Sequence, residues 1–394
     1  MKIVIAPDSF KESLSALQVA TQIEAGFREI FPAAEYVKMP VADGGEGTVE
    51  AMVAATDGRI IRVPVTGPLG DPVEAFYGLT GDGQTAVIEM AAASGLMLLD
   101  PTRRNPLETT TFGVGELIRT ALDQGARRFI IGIGGSATND GGAGMVQALG
   151  VRLLDRNGCD LRFGGGHLDG LGRIDVTGLD PRIQECRIEV ACDVDNPLIG
   201  PDGASAVFGP QKGASPAMVR LLDANLTHYA RRIQADLGIV VAELPGGGAA
   251  GGLGAAMFAF LGAELRPGVE IVTNAVGLDD IVADADLVIT GEGRIDSQTI
   301  HGKTPIGVAR VAKRHGKPVV GIAGCLSPDV GVVHAHGIDA VFSVLYQSCT
   351  VEEALAQASD NVRLASRNIA ATVGLFVSAY TLTSKRIHLT KLTQ

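Results

Sequence analysis

Along this chain, short apolar runs alternate with longer segments whose apolar residues recur at helical spacing. Residues 2–6 (KIVIA) form an apolar run that stops at Pro7-Asp8. From Ser13 onward Leu14, Leu17, Ile23, Phe27 and Ile30 share one helical face, which predicts strand, loop, helix. EYVKMPVA then predicts a second strand, ADGGEG a glycine loop, TVEAMVAAT a helix and RIIRVPV a third strand, so the chain opens βαβαβ. The C-terminal third returns to the same alternation. ADLVIT reads as strand, GEGRIDSQTIHGKT as loop, PIGVARVAKRHG as helix, PVVGIAG and AVFSVL as strands, and a long helix starts near Glu352. Both ends therefore predict one kind of parallel sheet.

The middle reads differently. AFYGLTGDGQTAVIEM and VRLLDRNGCDLRF set Asp82-Gly83 and Asn157-Gly158 between apolar runs, the signature of hairpins and hence of antiparallel pairing. The expected fold class is α/β with two domains. A parallel-sheet domain is built from residues 1–66 and 270–380, a mixed α/β domain of residues 67–269 is inserted into it, and 381–394 form a tail. No repeat at a fixed period and no low-complexity linker appears, which removes solenoids and tethered modules.

Composition narrows the function classes. A chain of 394 residues with 46% hydrophobic and 20% charged residues has the balance of a folded protein with a sizeable core. Its 52 glycines are roughly twice the usual share of about 7%, so many stretches of backbone pass close to something. A net charge of −11 repels nucleic acid and anionic membrane, and neither is an expected partner. Cys159, Cys186, Cys192, Cys325 and Cys349 contain no CxxC pair and suggest neither a disulfide framework nor a zinc site. The opening apolar run is too short for a signal segment and no run approaches a membrane span, so a cytoplasmic location is the expectation.

Chemistry concentrates in six segments that mix glycine or small residues with polar groups, mostly after a predicted strand: residues 6–13, 40–50, 132–145, 191–197, 244–254 and 289–304. Strand ends are where α/β sheets bind ligands, and glycine lets backbone N–H groups approach an oxyanion. Residues 132–145 (GIGGSATNDGGAGM) are the best phosphate or carboxylate cradle, with Ser136, Thr138 and Asn139 serving either as ligand contacts or as helix caps. This segment is neither GxGxxG nor GxxxxGK[ST], so a dinucleotide dehydrogenase and a P-loop NTPase both lose their fingerprint. Acids recur in the same segments: Asp8, Asp43, Glu46, Asp140, Asp193, Asp195, Glu292 and Asp296. One or two carboxylates with phosphate oxygens suit Mg²⁺. Asp193 directly follows the apolar strand IEVAC, where a general base belongs. Lys11, Lys212 and Lys303 lie in loops beside Gly, Ser or Thr, where cations can neutralise phosphoryl oxygens. His301 is the one histidine inside such a segment, and His334-x-His336 lacks further ligand signals.

IAPDSFKESLSA, PVADGGEGTVEAM, IGIGGSATNDGGAGMVQALG, ACDVDNPL, FGPQKGAS and ITGEGRIDSQT…GKTPIGVA together resemble the bacterial type 1 glycerate kinase family, in order and without a missing block from Met1 to about Ala370. The resemblance implies ATP-dependent phosphorylation of D-glycerate, usually at the 2-hydroxyl, in a Rossmann-like domain with an inserted domain and the active site between them. It favours Asp193 over Asp195 as base. Lys11 and Lys212 would then contact phosphate or carboxylate oxygens. Phosphate and substrate contacts are expected from Asp8, Ser9, Gly44, Gly45, Glu46, Gly47, Thr48, Gly134, Gly135, Ser136, Asn139, Asp140, Gly141, Gly291, Glu292, Gly293 and Lys303, and Mg²⁺ ligation from Asp43 and Asp296. After NIAATVG the chain continues LFVSAYTLTSKRIHLTKLTQ, beyond where the family pattern ends, and the chemistry is not expected to need it. A monomer or homodimer is expected. Phosphorylation at the 3-hydroxyl and a non-catalytic small-anion-binding protein are the alternatives. The second leaves the strand-end acids and loop lysines without a purpose.

Overall fold

The computed structural model describes residues 1–391, with side chains described through Leu375. The chain divides into two compact units, Met1–Ala42 together with the segment from Thr273 onward, and Asp43–Val272. In chain order the strands begin with β1 (Lys2–Pro7), β2 (Glu35–Lys38), β3 (Arg59–Thr66), β4 (Pro72–Leu79), β5 (Thr85–Glu89) and β6 (Arg128–Gly132). They continue with β7 (Arg152–Asp155), β8 (Leu171–Asp175), β9 (Arg187–Ala191), β10 (Glu264–Arg266), β11 (Leu287–Ile295), β12 (Val319–Leu326) and β13 (Ala340–Ser343).

The first unit is a five-stranded sheet in the order β13-β12-β11-β1-β2, parallel throughout. Parallel strands covered on both faces must be apolar on both faces, which explains why KIVIA is a run rather than an alternation. The helix Ala16–Arg28 packs on this sheet through Val19, Ala20, Ile23 and Phe27. Its start is fixed by a capping box in which the Ser15 hydroxyl accepts the Gln18 N–H and the Gln18 side chain accepts the Ser15 N–H, a device worth about 1 kcal/mol. The helix Ala358–Lys391 joins the same core through Val362, Ile369 and Ala370. From β1 the chain goes to β2 on one side, whereas β11, β12 and β13 extend the sheet on the other. The carboxyl ends of β1 and β11 are thus the switch point of this sheet, the place where such sheets bind ligands.

The second unit has a six-stranded sheet in the order β10-β9-β6-β5-β4-β3 and a small β7-β8 pair. Strands β5, β6, β9 and β10 are parallel; β4 and β3 add antiparallel. Helix Phe112–Asp123 supplies Val114, Leu117, Ile118, Ala121 and Leu122 to the core, an i, i+3, i+4, i+7, i+8 stripe. The 22-residue helix Pro216–Leu237 begins with Ser215 as cap and Pro216 in the first turn, and ends at left-handed Gly238.

Three details depart from the sequence reading. β3 was expected to close a βαβαβ start, but it pairs with β4 over its whole length, so residues 43–66 belong to the second unit and the first segment ends at Ala42 instead of residue 66. The periodicity of RIIRVPV identifies a strand without identifying its sheet. Asp82-Gly83 does join β4 to β5, but after Asn157-Gly158 only an isolated bridge, Leu154 to Asp160, forms, and β7 pairs instead with β8. Of the expected tail 381–394, residues through 391 continue the last helix and 392–394 lie outside the described residues. No helix among the described residues is long and apolar enough to cross a membrane.

Candidate active site

In the second unit the carboxyl ends of the parallel strands carry Glu89 on β5, Gly132 and the glycine loop after β6, and Asp193 two residues past β9. The loop 43–47 crosses these ends at closest backbone approach. A methyl on Gly44 would overlap the Ala191 side chain, one on Gly132 the Gly44 carbonyl, and one on Gly268 the Asp43 carbonyl. Gly44 also has φ 92, a left-handed conformation that side chains disfavour. Small residues at four points thus bring Asp43 and Asp193 to one edge.

Asp193 Oδ1 accepts the Gly268 N–H at 3.1 Å, which aims the carboxylate. Its side chain reaches solvent, yet the surrounding backbone keeps part of it dry. That incomplete hydration pushes its pKa up to about 6, with the Gly268 N–H opposing the rise and the neighbouring Asp43 charge adding to it. A carboxylate poised near neutrality is suited to accept a hydroxyl proton. Asp43 is half-buried, and its Oδ1 accepts the Gly45 N–H at 3.0 Å.

The glycine loop after β6 presents Gly134 and Gly135 to solvent, and the chain then turns inward at Ser136. Asn139, Asp140 and Gly141, expected as ligand contacts, are fully buried within the loop. Asp140 explains why. Its Oδ2 accepts from the Thr111 N–H and hydroxyl and from the Gly144 N–H, and its Oδ1 from the Gly142 N–H. The anion held by this nest of amides is the loop's own carboxylate. Burial pushes the Asp140 pKa up against those four donors. The Asn139 amide donates to the Ser205 hydroxyl at 2.9 Å.

Lys212 is 1% exposed, and its Nζ donates to the Thr138 carbonyl at 2.6 Å and the Ser136 hydroxyl at 3.2 Å. Burial drives its pKa down to about 7, partly offset by the Asp140 carboxylate. Lys212, expected to reach phosphoryl oxygens, is here hydrogen-bonded to the glycine loop at Ser136 and Thr138. On the facing loop, Thr48 is buried with its hydroxyl donated to the Gly45 carbonyl at 2.7 Å, while Gly45, Glu46 and Gly47 stay accessible. The amino end of the helix Thr48–Ala55 is closed by a residue the sequence reading passed over: Glu89 Oε1 accepts the Val49 N–H at 2.9 Å. Glu89 is buried, which pushes its pKa up to about 7, with the Val49 N–H opposing and Glu50 and Glu46 adding to the rise.

The first unit gathers a second set of candidates at its switch point. Asp8 follows β1 and is buried; its Oδ1 accepts the Ser9 N–H at 2.6 Å and its Oδ2 the Thr304 hydroxyl. Gly291, Glu292 and Gly293 lie within β11, with the Gly291 carbonyl accepting the Asp8 N–H at 2.8 Å. Glu292 accepts the Thr299 hydroxyl at 2.7 Å and pairs with Lys303 at 3.4 Å. Lys303 precedes the helix Thr304–Arg314, and Lys11 and His301 are exposed. Asp296 caps the turn Ser297–Ile300 through Oδ1, which accepts the Gln298 N–H at 2.9 Å, and its Oδ2 pairs with Arg294 of β11 at 3.2 Å. The two expected metal ligands, Asp43 and Asp296, therefore fall in different units, and among the described residues no three His, Cys, Asp or Glu side chains form a metal cage.

A family model described as the glycerate kinase family matches residues 3–374, a span that contains every candidate site residue named above. The chain belongs to the glycerate kinase family. It is accordingly an enzyme of the kinase class. Glycerate 2-kinase of Escherichia coli K12 is 65% identical over 375 residues, covering 95% of this chain and 98% of that protein. Glycerate kinase of Bacillus subtilis 168 is 60% identical over the same length and the same shares. A crystal structure from Salmonella typhimurium LT2 carrying the glycerate kinase 2 name superposes with a TM-score of 0.90 at 65% identity, covering 96% of this chain and 99% of that one.

Proposed function

We propose that this kinase transfers the γ-phosphoryl group of ATP to the 2-hydroxyl of D-glycerate, with Asp193 as the base that orients the hydroxyl and takes its proton. The observation that carries this reading is the pair Asp43 and Asp193 at one strand edge, with Asp193 held by Gly268 and raised toward neutrality, in a chain 65% identical to a glycerate 2-kinase. In such a transfer the hydroxyl attacks phosphorus as the bond to the ADP oxygen breaks, and catalysis is mainly positioning and charge neutralisation.

Gly134 and Gly135 are exposed and offer backbone to an approaching oxyanion, whereas on the neighbouring loop the Gly45 N–H is already donated to Asp43 Oδ1 and the Gly47 N–H to Glu89. Lys212 acts beneath the loop, holding Ser136 and Thr138, so its contribution is to loop geometry. In the first unit Lys11 is the open cation offered to phosphate or carboxylate oxygens, while Asp8, Ser9 and the Glu292–Lys303 pair shape that edge. Mg²⁺ fits the donor set as a nucleotide-borne ion, since it takes one or two carboxylates and fills its remaining positions with phosphate oxygens and water. Asp43, half-buried and beside a second carboxylate, would hold it; the other expected ligand, Asp296, has one oxygen on the Gln298 N–H and the other paired with Arg294. Bound there, Mg²⁺ would offset charge on the phosphoryl group.

Phosphorus NMR of the protein with Mg²⁺, ATP and D-glycerate tests the reading directly. A glycerate-dependent phosphomonoester whose proton coupling marks a secondary carbon is the expected product. Coupling to a methylene would assign the 3-hydroxyl, and unchanged ATP would overturn the kinase assignment for this substrate.

A further inference from the structure

We infer that Glu89 is a positioning residue for the reaction, acting through the loop that carries Asp43. The helix Thr48–Ala55 follows that loop directly, and its first turn has an exceptional need for an acceptor. Its cap is Gly47, at φ 91, which has no side chain to receive the amides of the first turn. Glu89 supplies what Gly47 lacks. It is the last residue of β5, paired in register with Gly132 of β6, and it is 8% exposed. From there its Oε1 accepts the Val49 N–H at 2.9 Å, across a separation of 40 residues. A carboxyl group at a helix amino end is favoured by the local partial charges as well as by the hydrogen bond.

The surroundings indicate that the bond is directional rather than incidental. Glu46 and Glu50 are the charged groups facing Glu89, and both disfavour a further carboxylate, so the group is kept against repulsion and burial. The loop between Asp43 and Gly47 already touches the sheet through the Gly44 carbonyl against Gly132, and the first residue of the helix Gly268–Ala275 through the Asp43 carbonyl. Those contacts press the backbone onto the strand ends without fixing it along them. Glu89 is the directed bond that sets its register, and with it the position of the Asp43 carboxylate relative to Asp193.

The inference rests on the proposed roles of Asp43 and Asp193, so its test carries one readout that needs no substrate. Glu89→Gln keeps the carbonyl acceptor, Glu89→Asp draws it back by one methylene and Glu89→Ala removes it. Amide exchange of peptides spanning residues 43–50, followed by mass spectrometry, is measured beside kcat and KM for ATP and D-glycerate. Expected for Glu89→Ala is exchange about tenfold or more faster in that peptide and kcat about 10- to 100-fold lower, with the ATP KM moved less than about threefold. Glu89→Gln should restore both to within about threefold of the wild type, and Glu89→Asp should fall between. Should Glu89→Ala not fold, the Gln and Asp pair decides: Asp must lose protection and kcat where Gln retains both. Equal losses in Gln and Ala would overturn positioning in favour of a direct role for the carboxyl proton. Loss of kcat with unchanged exchange, or faster exchange with unchanged kcat, would overturn it too. If the wild-type protein leaves D-glycerate unphosphorylated, the functional reading fails, while the exchange data still decide whether Glu89 holds the loop.

Discussion

At the scale of single residues, Asp193 carries the sharpest prediction. With its pKa near 6 it is protonated in mild acid and cannot receive a proton, so kcat/KM should fall as pH drops through about 6. Asp193→Asn should lower kcat by about 10²- to 10⁴-fold while the KM for ATP stays near wild type, because the change removes proton transfer and leaves phosphate contacts alone. Near-normal turnover would remove Asp193 from the mechanism. Asp43 raises the Asp193 value through its charge, so the acid limb of whatever activity Asp43→Asn retains should move to lower pH. Lys212 makes a second prediction, this time of stability. Its native pKa of about 7 lies below the ordinary 10.5, so between these values the unfolded chain binds a proton that the native chain has released. Stability contributed at this site therefore rises as pH goes from about 7 to about 10 and is lost on the way back down. Lys212→Met lacks that slope. In chemical denaturation it should gain on the wild type as pH is lowered from 10 to 7, and a gap independent of pH would mean that the lysine is not buried as an amine.

At the scale of elements, the backbone crossing at Asp43, Gly44, Gly132, Ala191 and Gly268 is the device that assembles the site. Gly268→Ala would place a methyl into the Asp43 carbonyl and within 3.1 Å of the Ala191 methyl, so the loop must lift. We expect loss of more than about 2 kcal/mol in stability and a kcat reduced at least as severely as by Glu89→Ala, read by denaturation and initial rates. Retained kcat would show that the loop tolerates displacement. The same crossing explains what the sequence could show. Glycine-rich segments after apolar runs marked Asp43, Gly134 and Asp193 because strand ends and missing side chains are local properties. Glu89 was hidden, since TAVIE reads as one more buried strand and its partner amide lies 40 residues away. For Asp140 and Lys212 the sequence marks the residues without showing their partners, because a loop sequence does not reveal which of its polar groups the loop itself will bond. Thr111 and Thr138, which consume them, are distant in sequence or carry the relevant group on the backbone.

At the scale of the whole molecule, the parallel sheet built from both chain ends was legible because fully buried strands and amphipathic helices alternate without ambiguity. The sheet to which β3 belongs was not, because pairing direction is decided by the partner β4 and not by periodicity. The C-terminal helix extends this reasoning to a testable boundary. The family match stops at residue 374, whereas the helix runs on to Lys391. Within the described side chains its packing is complete by then: Ser366 meets Gly26, Val362, Ile369 and Ala370 enter the core, and Gly374 lies beside Ile30 and Phe31. Leu375, the next residue, is 73% exposed. The packing described for this helix lies before residue 376, and stability in such helices comes from packing and not from propensity. A chain ending at Leu375 should therefore keep kcat and KM within about twofold and its unfolding midpoint within about 2 °C. A loss of activity at unchanged stability would assign residues 376–394 a part in the reaction. A drop in both would show that the segment supports the helix Ala16–Arg28 and, through it, the end of β1 where Asp8 stands.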